Sequence, residues 1–139
     1  MKRLVRAIPA AALAVLTVVA ASTTPGGAES RTACTLVSAA TASTLFARPV
    51  TTMERPNPIS SGSSTCMYLA AGRPILQLGL TVLPTEAVAQ TNFKAQQQGA
   101  ARHKNVGNRQ KGNVVLSAIA MNGDAGMLNA LLDAAVKSL

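Results

Sequence analysis

The chain has few aromatic and few acidic residues. Of its 139 residues 2% are aromatic and none is Trp, and five Asp or Glu stand against 13 Lys or Arg and a single His. Most hydrolytic and metal-dependent sites need several acidic or His side chains close together, so this shortage argues against both kinds of site. With so few aromatic rings, the core must be built largely from Ala, Leu and Val.

Long hydrophobic runs are also lacking. The longest, residues 7–21, is interrupted by a Pro and a Thr and spans 15 residues, whereas a membrane-spanning helix needs about 20. Basic residues precede this run and small residues follow it, as in a secretory signal peptide. We therefore predict a signal peptide over residues 1–28, cleaved after Ala21 or after Ala28, and an exported domain over residues 29–139. An uncleaved membrane anchor is the alternative.

The first cysteine does not lie in a lipid-attachment motif. A lipoprotein signal has an aliphatic residue three positions before its cysteine, but Arg31 stands three positions before Cys34. We therefore expect a secreted or periplasmic chain with no membrane span after cleavage. Removal of the signal peptide takes away three of the 13 basic residues and none of the acidic ones. The remaining positive charge eases contact with anions and says nothing about the fold.

Both cysteines, Cys34 and Cys66, lie in the predicted exported domain. An even number of cysteines in an oxidising compartment favours a disulfide. This bond would stabilise the domain by about 3.7 kcal/mol on the chain-entropy model. A metal-binding pair is one alternative, but the sequence supplies no evident partner ligands. A nucleophilic cysteine is another, but no activating base lies nearby in the sequence. We predict the disulfide and no metal site.

The spacing of apolar residues predicts a series of helices and strands over residues 38–139. Ser38, Thr85 and Asp124 each precede a helical stretch and are predicted N-caps. The segment 100–113 is polar, basic and interrupted by glycines, and no regular element is assigned to it. The predicted elements are, in order, helix 39–47, strand 50–53, strand 66–70, strand 75–83, helix 86–98, strand 114–121 and helix 125–139, with a flexible loop over 56–64.

This order of elements predicts an α+β fold. Strands 66–70 and 75–83 are joined by a short glycine-containing turn, which indicates an antiparallel hairpin. The last helix has one continuous apolar stripe that must be buried against other elements. We therefore predict a small antiparallel sheet covered on one face by helices, with one disulfide.

Short motifs in the same region resemble those of a protein family. The stretch Ala33-Cys34-Thr35-Leu36-Val37-Ser38 is similar to the Cys-x-Leu-Leu-Thr opening of small exported bacterial domains of unknown function, among them actinobacterial lipoproteins. Arg48-Pro49-Val50 and Cys66-Met67-Tyr68 stand where that family has Gly-x-Pro-Val and Cys-x-Tyr. The resemblance covers residues 33–139 and implies a disulfide-pinned, exported α+β module without catalytic residues.

The chain departs from the pattern of this family in three places. Thr41 replaces an acidic residue of the first helix, and the lipid-attachment motif is missing. The segment before residue 112 is also shorter than in the family. This shortening suggests that the sheet lacks one strand of the family.

No group of residues forms a recognisable catalytic set. His103 lies between two cations, and no Ser stands in a nucleophile-elbow motif. Glu86 and Asp124 are explained by helix starts and Asp133 by the polar face of the last helix. Glu54 is then left without a partner for acid–base catalysis. We predict no catalytic residues and no cofactor.

Unopposed basic residues are the one feature that suggests binding. No acidic residue lies between Glu86 and Asp124, whereas several basic residues do. An anionic surface such as lipid headgroups or polysaccharide would suit them, and the alternative is a solvated loop. Nucleic acid is not expected, because no aromatic side chains lie between them for base stacking. The candidate contacts are Lys94, Arg102, Lys104, Arg109 and Lys111.

The sequence as a whole favours a non-enzymatic exported module that binds a protein or an anionic surface. A small secreted hydrolase or an inhibitor-like factor is the alternative, with a site assembled from residues that are distant in the sequence. A small apolar ligand between sheet and helices is a further alternative. An Ala-rich core with few aromatic rings can leave room for one, although it can also pack tightly.

Overall fold

The computed structural model describes residues 31–56, 62–122 and 124–139. The predicted signal peptide and the middle of the predicted loop lie outside these residues. The described chain is an α+β fold with an antiparallel sheet and one disulfide, as the sequence predicts. Its elements are α1 Ala33–Leu36, α2 Ala39–Phe46, β1 Thr51–Pro56, β2 Ser63–Ala70, β3 Arg73–Val82, α3 Glu86–Ala100, β4 Val106–Lys111, β5 Val114–Ala120 and α4 Ala125–Lys137.

The five strands form one sheet in the order β1-β2-β3-β5-β4, and all neighbouring strands are antiparallel. The predicted hairpin between β2 and β3 is confirmed. Its two turn residues, Ala71 and Gly72, both have a positive φ, of 51° and 73°. Two such residues in succession give the turn twist that matches the right-handed twist of the flanking strands.

The core lies between one face of the sheet and three helices, α1, α2 and α4. Side chains alternate across a strand, so every second residue of β3 and β5 points to the same face. The stripe of α4 predicted from the sequence packs on that face, and α1 and α2 contribute Leu36 and Ala42. The main core residues are Leu36, Val37, Ala42, Cys66, Tyr68, Leu76, Leu78, Leu80, Leu116, Ala118, Leu128, Leu131, Leu132 and Ala135.

The opposite face of the sheet is covered by α3 over β4 and β5. Val115 of β5 alternates with the core-facing Leu116 and is nevertheless only 1% exposed. Asn108 of β4 and Ala89 of α3 are buried on the same side, and α3 packs mainly on these two strands. Helices α1, α2 and α4 cover one face of the sheet, as predicted. Helix α3 adds a partial layer on the other face, which was not predicted.

The three predicted N-caps are confirmed. The side-chain oxygens of Ser38, Thr85 and Asp124 accept hydrogen bonds from main-chain amides three residues later, at 3.1–3.2 Å. Each bond satisfies one of the amides that a helix leaves without a partner in its first turn. The cap side chains thus fix where α2, α3 and α4 begin.

Two elements of the fold are not predicted by the sequence analysis, and one prediction of a loop is partly wrong. The segment 100–113 contains β4, so the sheet has a strand where none was assigned. The single turn α1 precedes the first predicted helix. Ser63 and Ser64, placed in a flexible loop by the sequence analysis, belong to β2. In β2, Ser63 and Ser64 pair with residues of the neighbouring strands. Local composition gives no sign of this pairing.

Candidate functional site

A cavity opens at one end of the sheet, on the face that carries the core. It has a volume of about 260 Å³ and lies where β3 ends and β5 begins. Leu80, Val82, Val114 and Leu139 supply apolar side chains, and two cations also line it. The full lining is Arg31, Leu80, Val82, Lys111, Gly112, Asn113, Val114 and Leu139. Small-molecule sites are typically mostly apolar with a few polar groups, and this cavity has that composition.

Arg31 reaches the cavity because the start of the described domain meets the end of α4. Its Nη1 donates hydrogen bonds to the main-chain oxygens of Ser138 at 3.3 Å and of Leu139 at 3.1 Å. The last main-chain oxygens of a helix lack partners within the helix and attract cations. One guanidinium nitrogen is held in this way, and a guanidinium carries further N–H groups that can bind an acidic group.

Lys111 is placed at the cavity by the alternation of β4. Gly107, Arg109 and Lys111 point to the face that carries α4, because every second residue of a strand shares a face. The guanidinium of Arg109 pairs with Asp133 of α4 at 3.4 Å. Lys111 is at the far end of the strand and is exposed. Among the residues described by the structure, no acceptor binds its ammonium group.

The rim between these two cations is a tight turn with its own hydrogen bonds. The main-chain oxygen of Asn113 accepts from the amide of Leu83 at 2.8 Å, and the Asn113 side chain donates to the Leu83 oxygen at 2.9 Å. Gly112 has a φ of 57°, and its oxygen accepts from the side chain of Gln110 at 2.9 Å. These bonds tie the β4–β5 turn to the end of β3.

The five anion-contact candidates from the sequence are not brought into one patch. Lys94 lies on α3, and Arg102 and Lys104 lie in the connection from α3 to β4. Lys111 is at the other end of β4, and a six-residue strand separates its ends by about 17 Å. Arg109 pairs with Asp133 at 3.4 Å, and Asp133 lies on the polar face of the last helix that the sequence predicts. Lys111 is therefore the candidate that contributes to the cavity.

The predicted disulfide is present, and an acidic side chain lies beside it. Cys34 of α1 is bonded to Cys66 of β2 with a Cα–Cα distance of 4.9 Å. Glu54 of β1 is the register partner of Cys66, and its Oε2 accepts a hydrogen bond from the Cys34 amide at 3.0 Å. The disulfide is consistent with an oxidising environment such as the extracellular space. From the sequence, Glu54 has no partner for acid–base catalysis, and the partner that the structure gives it is the main-chain amide of Cys34.

Tyr68 is buried near this acidic group. Its hydroxyl donates to the main-chain oxygen of Val37 at 2.8 Å. Burial raises the pKa of Tyr68 above the ordinary value, and the negative charge of Glu54 raises it further. Both effects disfavour the phenolate, so Tyr68 is a neutral hydrogen-bond donor in the folded chain.

In the described part of the chain, the His103 ring forms no hydrogen bond or ion pair with an acidic side chain. It is exposed in the turn between α3 and β4. Its main-chain amide donates to Ala100 at 2.9 Å. Glu86 lies in the first turn of α3 and Asp124 caps α4, as predicted, so both have a structural explanation. Glu54 contacts the disulfide segment.

No protein-family model, no curated protein and no solved structure matches the chain. The cavity and the residues around the disulfide are the features of the described chain that bear on its function. None of the helices in the described ranges combines the length and the apolarity that a crossing of the bilayer requires.

Proposed function

We propose that the chain is an exported, non-catalytic binding module that takes a small amphipathic acid in the cavity at the end of the sheet. The observation that carries the proposal is the composition of this cavity. Its wall is largely apolar, and Arg31 and Lys111 supply the two charged side chains in its lining. An aliphatic portion would pack against Leu80, Val82 and Val114, and the acidic group would lie at the cations.

The size of the cavity limits the ligand. Small-molecule sites usually measure roughly 300–1,000 Å³, and this one measures about 260 Å³. A chain of about eight carbons with one carboxylate is a suitable probe. Burial of its methylene groups would contribute about 0.8 kcal/mol each, and the cations would add selectivity for an acid over an alcohol of equal length.

The proposed binding is tested with octanoate and octanol on the purified exported chain. We expect octanoate to bind more tightly than octanol by isothermal titration, because only the acid interacts with the cations. Lys111→Gln should weaken octanoate binding by about tenfold, which corresponds to about 1.4 kcal/mol. The control is Lys104→Gln, which removes an equal charge at the other end of β4 and should leave the affinity unchanged.

The apolar part of the site has a separate test. Val82→Phe puts a larger side chain into the cavity and should reduce octanoate binding while leaving Lys111 in place. Equal affinity for octanoate and octanol, or equal weakening by Lys111→Gln and Lys104→Gln, would overturn the assignment of the acidic group to this cavity. Absence of octanoate binding would overturn the proposed function.

Export is the second part of the proposal. The basic and apolar pattern of residues 1–28, the resemblance to small exported bacterial domains and the disulfide all support it. The unreduced mass of the chain collected outside the cytoplasm tests it directly. We expect the mass of a chain cleaved after Ala21 or Ala28 that is two hydrogens lighter than its reduced form. An uncleaved mass would contradict the proposed signal peptide.

A further inference from the structure

Three potential metal ligands converge beside the disulfide. The Sγ atoms of Cys34 and Cys66 and a carboxylate oxygen of Glu54 all lie within 4.8 Å of one another. They come from three elements, α1, β2 and β1. The pairing of β1 with β2 fixes Glu54 opposite Cys66, so the position of Glu54 in the sheet does not depend on the disulfide.

One oxygen of the Glu54 carboxylate lacks a hydrogen-bond partner in the described part of the chain. Glu54 Oε2 accepts from the Cys34 amide at 3.0 Å. Glu54 Oε1 is buried and has no hydrogen-bond partner among the residues that the structure describes. A buried polar atom without a partner costs free energy. The disulfide cannot donate a hydrogen bond to Glu54 Oε1, because its sulfur atoms carry no hydrogen.

Reduction would change what surrounds this oxygen. A dithiol reductant transfers two electrons and two protons to the disulfide, so that the reductant becomes a disulfide and Cys34 and Cys66 become thiols. The two thiols can then release their protons and act as thiolate ligands. Two thiolates and a carboxylate are suitable ligands for Zn²⁺, whereas Mg²⁺ and Ca²⁺ prefer sites made of oxygen alone.

We propose that the reduced chain binds one Zn²⁺ through Cys34, Cys66 and Glu54, with a water molecule as the fourth ligand. Metal binding releases the two thiol protons to solvent, and the donor atoms become two sulfurs and one carboxylate oxygen. In a tetrahedral zinc site the ligand atoms are about 3.5–3.8 Å apart. The two sulfur atoms are bonded to each other in the oxidised chain, where the Cα atoms of the cysteines are 4.9 Å apart, so after reduction the sulfur atoms must separate to about the spacing of zinc ligands.

The proposal makes zinc binding and disulfide formation mutually exclusive states of one site. The oxidised chain offers a single carboxylate and has no thiolate ligand. The reduced chain offers all three donors, and zinc would hold α1 against β1 and β2 in place of the covalent bond. This site is on the core side of β2 and shares no lining residue with the cavity at the end of the sheet.

The test is a zinc titration of the reduced chain in competition with a chromophoric chelator. We expect one zinc ion per reduced chain and none per oxidised chain. Glu54→Gln should weaken zinc binding at least about tenfold, because even the loss of groups that only orient metal ligands costs 10–100-fold in affinity. Glu86→Gln is the matched control, since it removes an exposed acid at the start of α3 and should leave zinc affinity unchanged.

A spectroscopic readout identifies the donor atoms independently of affinity. Co²⁺ in place of Zn²⁺ should give the charge-transfer absorption of two cobalt–thiolate bonds in the reduced chain, reduced by half in Cys34→Ser. Circular dichroism follows the fold in the same samples. Equal zinc affinity of Glu54→Gln and Glu86→Gln would overturn the role of Glu54. A reduced chain that binds no zinc, or that unfolds and does not refold when zinc is added, would overturn the site.

Discussion

The hydroxyl of Tyr68 donates a 2.8 Å hydrogen bond to the main-chain oxygen of Val37, and both residues are completely buried. Tyr68 belongs to β2, and Val37 is the residue that ends α1 before α2 begins. The Val37 oxygen has no partner in a helix or strand among the described residues, and the Tyr68 hydroxyl provides its hydrogen bond. This bond therefore fixes the link between the first two helices on the core face of the sheet.

Removal of this hydroxyl should destabilise the domain. In Tyr68→Phe the ring still fills the core, but the buried Val37 oxygen loses its donor, at a cost of about 1–3 kcal/mol. The free energy of unfolding in urea at neutral pH measures the change. Thr44→Val is the control, because it removes a hydroxyl that bonds to the Ala40 oxygen on an exposed helix surface. It should change stability by less than about 0.5 kcal/mol, and equal losses in the two variants would contradict the importance of the buried bond.

The same tyrosine should make the domain less stable in alkali. Burial, and in addition the charge of Glu54, raises the pKa of Tyr68 above the ordinary value of 10.0. The unfolded chain therefore loses this proton near pH 10 while the folded chain keeps it, so the unfolded state binds fewer protons there. Stability is unaffected by this group below pH 10 and falls as the pH rises above it, by up to about 1.4 kcal/mol per pH unit.

Two measurements check this pH dependence. Tyr68 is the single Tyr of the chain, so phenolate absorbance follows this residue alone, and the titration of the folded chain should begin well above pH 10. The decline in unfolding free energy between pH 9 and pH 11 should be smaller in Tyr68→Phe than in the unmodified chain. The same decline in both chains would show that other groups cause it.

Two glycines should respond to Ala in opposite directions. A Cβ at Gly107 would lie 2.8 Å from Leu132 Cδ1 and 3.3 Å from Leu128 Cδ2, and both leucines are buried in the core. We expect Gly107→Ala to lower the free energy of unfolding by about 1 kcal/mol through overpacking. A Cβ at Gly99 in α3 meets nothing within 4 Å, so Gly99→Ala should raise stability by roughly 0.5–1 kcal/mol. Urea unfolding of both variants tests the contrast, and a stabilising Gly107→Ala would contradict close contact between β4 and α4.

The helices with side-chain caps could be predicted from the sequence because their signals are local. Ser38, Thr85 and Asp124 bind amides three residues away, and the apolar stripe of α4 repeats within a few turns. β4 could not be predicted in the same way. One of its core-facing positions is Gly107, where a Cβ would lie 2.8 Å from Leu132 Cδ1 of α4, and its buried Asn108 lies beneath α3. The usual alternation of apolar and polar residues is therefore missing.

The cavity and the acidic group at the disulfide depend on contacts between distant parts of the chain. From the sequence, Arg31 shows only that Cys34 does not lie in a lipid-attachment motif. Its position is set by Ser138 and Leu139, more than a hundred residues later. Glu54 approaches Cys34 and Cys66 only after β1 has paired with β2. Contacts between distant parts of the chain leave no signal in local composition. Only the register of β1 against β2 would have placed Glu54 and Cys66 on one face of the sheet.

The packing of α4 also has a consequence for the order of events during synthesis. This helix supplies Leu128, Leu131, Leu132 and Ala135 to the core, and it follows all five described strands in the chain. While the strands leave the ribosome, their leucine-rich face has no such cover. The disulfide partners, by contrast, are both present once residue 66 has been made. Formation of the disulfide, in the oxidising compartment to which we propose the chain is exported, does not need α4, whereas burial of the hydrophobic core does.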